Sequence, residues 1–291
     1  MTPPSRNGLS TIEEVIADAK AGKLFILVDD EDRENEGDLC VIGEYATADA
    51  INFMAKYGRG LICLALTRIR TEQLGLTMME RRNESRHETA FTISIEAREG
   101  VTTGISAADR ALTIKTAIDP NCGERDITTP GHIFPLIARD GGTLVRAGHT
   151  EAVVDIARAC GSDNPSGVIC EIMKDDGEMA RLPDLIGFAK EHDLKIASIA
   201  DLIAWRRRNE SLVQRTVESA ITTRIGGEWR MVIYANTVSN IEHIALVKGD
   251  ISAGDPILVR MHALDLMADL LGAVSEKRAG DELATAMAAI A

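Results

Sequence analysis

The chain has 291 residues, 45% of them hydrophobic, which is roughly two average domains and enough apolar material for a real core, so disordered and fibrous classes are excluded. Its 32 Lys and Arg stand against 45 Asp and Glu, and the formal net charge of −13 sets the whole-protein field against nucleic acid and anionic membrane.

The opening Met1-Thr2-Pro3-Pro4-Ser5-Arg6-Asn7-Gly8 lacks the apolar stretch of a secretory signal, and apolar runs such as 61–66 are far too short to cross a bilayer. The expectation is a soluble protein. The first helix follows, with Ser10 as N-cap, Glu13 three residues on, an apolar stripe of Ile12, Val15, Ile16 and Ala19, and Gly22 to stop it. A buried strand over 24–28 comes next. Strand-like runs at 39–42, 60–66, 91–95, 168–172 and 195–199 then alternate with helical stretches near 47–57, 106–118, 150–160, 183–192 and 199–208. This alternation predicts a layered α/β (α+β) domain, a mixed sheet with helices packed on it. A composition break at Arg206-Arg207-Arg208-Asn209-Glu210 separates a domain of residues 1–208 from a smaller, β-rich region of 209–291. In that region Gly226-Gly227 marks a hairpin between strands at 216–225 and 229–234, two more strands follow at 241–247 and 256–261, and the Ala-rich 281–290 is helical by propensity. The five cysteines are odd in number, widely spaced and without a Cys-x-x-Cys pair, which fits core thiols in a reducing compartment.

Five stretches can carry chemistry. Asp29-Asp30-Glu31-Asp32-Arg33-Glu34-Asn35-Glu36-Gly37-Asp38 puts seven carboxylates in ten residues directly after a buried strand. It is either a solvated acidic loop or a site where a cation neutralises the crowding, and a hard divalent ion such as Mg²⁺ needs only one or two such oxygens. Arg146-Ala147-Gly148-His149-Thr150-Glu151 opens an amphipathic helix. Exposed N–H groups, the helix dipole and the Arg146 fork form an anion pocket with Thr150 as cap, unless the segment is a plain capped helix with an incidental histidine. His132, read as lying in a loop after Pro130-Gly131, is an acid or base near neutrality or incidental; Glu171, inside the apolar strand 168–172, is a perturbed base or a structural salt bridge. The hydroxyl-rich 101–109 run is a further anion contact or an N-cap.

Together with Gly100-Val101-Thr102-Thr103-Gly104-Ile105-Ser106-Ala107-Ala108-Asp109-Arg110 and Pro130-Gly131-His132-Ile133-Phe134-Pro135-Leu136, the first two stretches resemble 3,4-dihydroxy-2-butanone 4-phosphate synthase of riboflavin biosynthesis, in that family's order over residues 10–208. The resemblance implies a cytoplasmic homodimer that converts ribulose 5-phosphate into formate and a four-carbon phosphate with Mg²⁺ or Mn²⁺, its active sites near the subunit interface. It implies Glu34 and His149 as the metal pair. Arg33, Glu34, Asp38, Arg146, Ala147, Gly148, His149, Thr150 and Glu171 would hold the sugar phosphate, and His132 and Glu171 would move protons. One departure is Thr129, where relatives often carry Arg before Pro-Gly-His.

Thr216-Val217-Glu218-Ser219-Ala220, 241–250 and Val259-Arg260-Met261-His262 resemble the start of GTP cyclohydrolase II, a zinc enzyme often fused to this synthase, and the resemblance runs about half-way through it. Where that family carries Ser-Glu-Cys-Leu-Thr-Gly-Asp after the histidine, this chain has Ala263-Leu264-Asp265-Leu266-Met267-Ala268-Asp269, then Ser275-Glu276-Lys277-Arg278 where further cysteines are due. No cysteine follows Cys170, so a Cys₃ zinc site cannot be assembled here. The expectation is a lyase with a degenerate appendage. The missing thiolates argue against a bifunctional enzyme that retains GTP chemistry, and the intact acidic loop, His132, His149 and Glu171 argue against a scaffold that has lost catalysis.

Overall fold

A computed structural model describes residues 8–80, 89–238, 241–252, 254, 256–274 and 280–291. The N-terminal 1–7 and the Ser275-Glu276-Lys277-Arg278 segment read above lie outside the described residues. The chain divides into two compact units, Met1–Glu210 and Ser211–Ala291.

In chain order the first unit runs α1 (Ile12–Lys20), β1 (Phe25–Val28), β2 (Gly37–Ile42), α2 (Ala48–Phe53), β3 (Cys63–Leu66), α3 (Arg68–Gln73), β4 (Ile95–Ala97), α4 (Ala107–Ile118), β5 (Ile127–Ile137), α5 (His149–Ala159), β6 (Gly167–Glu171), α6 (Leu182–Glu191), β7 (Lys195–Ser198) and α7 (Ile199–Asn209). Seven strands form one mixed sheet in the order β4-β5-β3-β6-β2-β1-β7. Strand side chains alternate between its faces, and two cores result. Ile26, Leu39, Val41 and Leu64 meet α2, α4 and α6 on one face, whereas Phe25, Leu27, Cys40 and Cys63 meet α1, α5 and α7 on the other. Because both faces are covered, β1 and β2 are buried along their whole length, which is why they read as continuous apolar runs. Gly167 lets α5 approach the sheet, since a Cβ there would lie 2.2 Å from Val153 Cγ2. Cys40, Cys63 and Cys170 are buried free thiols, and burial pushes Cys170 up to about 12.

Several local expectations shift. The N-cap of α1 is Thr11, which forms a reciprocal capping box with Glu14, while the Ser10 N–H is taken by the Ile196 carbonyl of the neighbouring strand. Strand 91–95 reduces to isolated bridges at Phe91 and Thr92 followed by β4, because Pro135 opposite has no N–H to extend the ladder. Thr150 does not cap α5. The helix starts one residue earlier, with Gly148 at the N-cap and no side-chain cap bond. His132 lies within β5 and not in a loop: the register against β4 jumps from Ile95↔Ile133 to Glu96↔Thr128, so the Pro130-Gly131 stretch arches out as a bulge inside a strand.

The second unit is a three-stranded antiparallel sheet, order β10-β9-β8, of β8 (Val213–Thr223), β9 (Gly227–Asn236) and β10 (Glu242–Val247), with α8 (Glu282–Ile290) near its end. Segment 256–261 forms no strand: Pro256 lacks a donor, and Ile257, Leu258, Val259 and Met261 are exposed without a ladder partner among the described residues.

One buried ion pair ties three parts of the first unit together. Asp155 of α5 accepts from Arg206 of α7 at 2.6 Å and from the Thr143 N–H at 2.7 Å, and Arg206 also donates to the Gly141 carbonyl at 2.8 Å. Both side chains are buried. Asp155→Ala would leave Arg206 with Glu210, at 2.7 Å, as its remaining carboxylate and would strand the buried Thr143 donors, so urea unfolding is expected to show a loss of about 1.5–3 kcal/mol. A loss below about 1 kcal/mol would show that the pair does not brace the helices.

Candidate active site

Asp29 to Glu36 form the loop of the β1–β2 hairpin, since Val28 pairs with Gly37. The acidic run is folded. Asp29 Oδ1 accepts from the Glu36 N–H at 2.9 Å, and its Oδ2 from the Glu34 N–H at 3.2 Å and the Arg33 guanidinium at 2.7 Å. Arg33 also donates to Glu34 Oε2 at 2.7 Å. From outside, Arg181 at the start of α6 donates to the carbonyls of Glu34, at 2.9 Å, and Asn35.

The loop carries Glu34 to the N-terminus of α5. His149 Nδ1 lies 3.8 Å from Glu34 Oε2, and Nε2 lies 3.9 Å from Asp38 Oδ1. Nε2 is also 3.2 Å from the Leu27 carbonyl, an acceptor, so it carries the proton and Nδ1 faces the carboxylate. Asp29, Glu34 and His149 each offer a ligand atom, all within 4.8 Å of one another.

The electrostatics are lopsided. Burial, then the neighbouring Glu171, Glu34 and Glu36 carboxylates, push Asp38 up to about 7 against the pull of His149. For His149, burial works against the charged form, but Asp38, Glu34 and Asp29 outweigh it and lift the ring to about 9. Burial also works against Glu34, yet the nearby His149 imidazole and the Arg33 guanidinium bring it down to about 2. A small divalent cation fits this set, with hard oxygens, one imidazole whose second nitrogen is anchored to a backbone carbonyl, and more negative charge than the residues neutralise.

Register explains why Glu171 joins the cluster. It pairs with Asp38 across β6 and β2, and its Oε2 accepts from the Leu61 N–H at 2.8 Å. The carboxylate that interrupts an apolar strand therefore stands at the strand's end, not in its middle. Gly60 is needed beside it, because a Cβ there would lie 2.6 Å from the Glu171 backbone.

The 146–151 segment adjoins through His149. Arg146 donates to Glu151 Oε2 at 2.6 Å and to Thr89 at 3.1 Å, Ala147 is exposed, and Gly148 and Thr150 are buried. A Cβ at Gly148 would lie 2.2 Å from the Arg146 guanidinium.

His132 belongs to a second cluster. Its Nδ1 is 2.7 Å from Glu96 Oε2, and Thr113 of α4 donates to Glu96 Oε1 at 3.1 Å. Gly104, with φ +87°, makes room, since a Cβ there would lie 2.1 Å from Glu96 Oε2. Phe134 pairs with Cys63 and Cys63 with Ile169, so extending the register two residues brings His132, Leu61, Glu171 and Asp38 to the same end of the sheet. His132 and Asp38 are then three strand spacings apart, roughly 14 Å. Within one chain the structure groups Arg33, Glu34, Asp38, His149 and Glu171 but leaves His132 apart. Sequence reasoning did not single out Asp29, Glu96 or Arg181. Asp29 stood in the acidic run without a distinguishing mark, and nothing local signals the partners of the other two.

Residues 13–205 match the family model of 3,4-dihydroxy-2-butanone 4-phosphate synthase, and residues 214–291 that of GTP cyclohydrolase II. Over 263 residues the chain is 53% identical to a 3,4-dihydroxy-2-butanone 4-phosphate synthase of Pseudomonas aeruginosa, covering 90% of this chain and 72% of that protein. It is 52% identical over 261 residues to a riboflavin biosynthesis protein RibBA of Bacillus cereus, of whose length it spans 65%. Among solved structures, RibBX, a two-domain synthase from A. baumannii, is similar with a TM-score of 0.76 and 46% identity over 94% of this chain and 79% of that one. A synthase in complex with two magnesium ions is similar with a TM-score of 0.66 and 37% identity over 69% of this chain and 99% of that one.

Glu34→Gln and His149→Asn should each weaken Mn²⁺ binding, read by calorimetric titration, by more than the 10- to 100-fold typical of losing an outer-shell partner. Native affinity in either variant would remove that residue from the cation site.

Proposed function

The chain belongs to the 3,4-dihydroxy-2-butanone 4-phosphate synthase family, and from that membership we propose that it is a lyase converting D-ribulose 5-phosphate to L-3,4-dihydroxy-2-butanone 4-phosphate and formate in riboflavin biosynthesis. The observation that carries this reading is the convergence of Glu34 and His149, 3.8 Å apart although far apart in sequence, beside a buried Asp38. Glu34 and His149 hold the metal, Mg²⁺ or Mn²⁺. When bound, that ion polarises the substrate's carbonyl and hydroxyl oxygens as a Lewis acid.

The remaining work falls to the chain's own groups. Removing a proton from a carbon beside a carbonyl needs a base, and expelling water needs an acid. Glu171 has Oε2 occupied by the Leu61 N–H, which leaves Oε1 to take a proton. His132 has Nδ1 held by Glu96, which leaves Nε2 to take or give one. Arg33, Glu34, Asp38, Glu171 and the Arg146–Thr150 loop hold the sugar phosphate. The N–H groups at the uncapped start of α5 support phosphate binding remote from the reacting carbons.

The reading includes a cytoplasmic homodimer with a small sugar phosphate as ligand and no nucleic-acid or membrane partner. The separation of His132 from the Glu34–His149 pair within one protomer supports active sites near the subunit interface, and no described helix is long and apolar enough to cross a membrane. Residues 1–208 form the synthase domain. Residues 209–291 form a GTP cyclohydrolase II-like region without GTP chemistry, since no cysteine follows Cys170 to hold zinc.

Incubated with ribulose 5-phosphate and Mg²⁺, the native chain should release formate, and Glu171→Ala should lose turnover while melting near the native temperature; near-native formate release from that variant would refute the role of Glu171. Mixing subunits of the inactive Glu34→Ala and His132→Ala variants should restore about a quarter of native activity, because hybrid dimers hold one intact shared site. No recovery would place each site within one protomer. The purified chain should carry no stoichiometric zinc and leave GTP unchanged; zinc-dependent GTP turnover would restore the bifunctional reading.

A further inference from the structure

Asp29 lies within ligand reach of the Glu34–His149 pair, yet its hydrogen bonds give it different work. Its two oxygens already meet three donors, the Glu34 and Glu36 N–H groups and the Arg33 guanidinium. Its own N–H donates to the Glu36 carbonyl at 3.2 Å, so one residue closes the loop with main chain and side chain together. Arg33 bridges Asp29 Oδ2 to Glu34 Oε2, which sets the direction of the Glu34 side chain. Exposure separates the two acids, with the Asp29 side chain 1% and the Glu34 side chain 25% accessible. Glu34 opens towards an incoming ligand, whereas Asp29 faces the loop's interior. The turn at Asn35 needs a left-handed φ of 55°, and Arg181 holds the two successive carbonyls of Glu34 and Asn35.

We propose that Asp29 is a positioning residue and not a third cation ligand: with Arg181 it holds the 29–36 loop in the shape that points Glu34 at His149. This rests on the reading of Glu34 and His149 as the metal pair. If both residues act on one loop, freeing either releases Glu34, and the second loss adds little.

The test is a Mn²⁺ titration, followed by electron paramagnetic resonance of the free ion, of native protein, Asp29→Asn, Arg181→Gln and the double variant. Each single change should weaken binding about 10- to 100-fold with stoichiometry kept, and the double variant should weaken it by clearly less than the product of the two. Arg181→Lys, which retains a donor, should fall between native and Arg181→Gln. Loss of binding in Asp29→Asn with native affinity in Arg181→Gln would make Asp29 a ligand and overturn the inference while leaving the metal pair intact. Additive losses, or native affinity in both single variants, would also overturn it. A native chain that binds no Mn²⁺ would overturn the inference together with the reading beneath it. Arg181 is 44% exposed, so Arg181→Gln leaves the core intact and decides the matter should Asp29→Asn fail to fold.

Discussion

Asp38, Glu34 and Asp29 crowd the His149 imidazole while Glu171, Glu34 and Glu36 crowd Asp38, at the end of a sheet from which much of the water is excluded, and the site depends on how that imbalance is met. Burial, with the neighbouring carboxylates, holds the Asp38 carboxyl up near neutrality, and Asp38, Glu34 and Asp29 hold a proton on His149. An arrangement of this kind is unfavourable for folding by itself, because like charges at low dielectric repel strongly. It is understandable as a receptor for positive charge. A second proton on the imidazole neutralises part of the excess, and a divalent ion gripped by Glu34 and His149 would replace that proton and neutralise more. The anchoring of His149 Nε2 to the Leu27 carbonyl fixes which ring nitrogen meets the carboxylate.

The fold delivers these groups by register. Asp38 pairs with Leu27 on one side and with Glu171 on the other, while His149 reaches the same end of the sheet from the first turn of α5. Only residues without side chains allow the approach at the tightest points, as at Gly60 beside Glu171 and Gly167 beneath Val153. His132 stands apart because β5 lies on the far side of β3, where the bulge after Thr128 turns it towards Glu96.

Much of this was legible in the sequence, for identifiable reasons. The apolar runs of β1, β2 and β6 are buried on both faces and contain little else, and α1, α4 and α5 keep a helical period. The acidic run after a strand and the Gly-His-Thr helix start stood out locally, whereas the pairing of Glu34 with His149 was implied only by the family resemblance. What escaped depended on distant partners. β5 was read as a loop around His132 because Pro130 and Gly131 argue against a strand, and only the bulge against β4 reconciles them. The roles of Asp29 and Glu96 are defined by donors elsewhere in the fold, so nothing in their neighbourhood marks them out. Thr11 displaced Ser10 as a cap because the sheet claims the Ser10 N–H, a long-range competition that a local motif does not report.

The central claim is that Glu34 and His149 jointly hold a divalent ion beside a sugar phosphate. A crystal grown with Mn²⁺ and ribulose 5-phosphate, with data collected near the manganese absorption edge, tests it most directly. The account predicts an anomalous peak at coordination distance, about 2.1 Å, from a Glu34 oxygen and His149 Nδ1, with the phosphate near the start of α5. A peak ligated by neither residue, or substrate bound away from both, would contradict it.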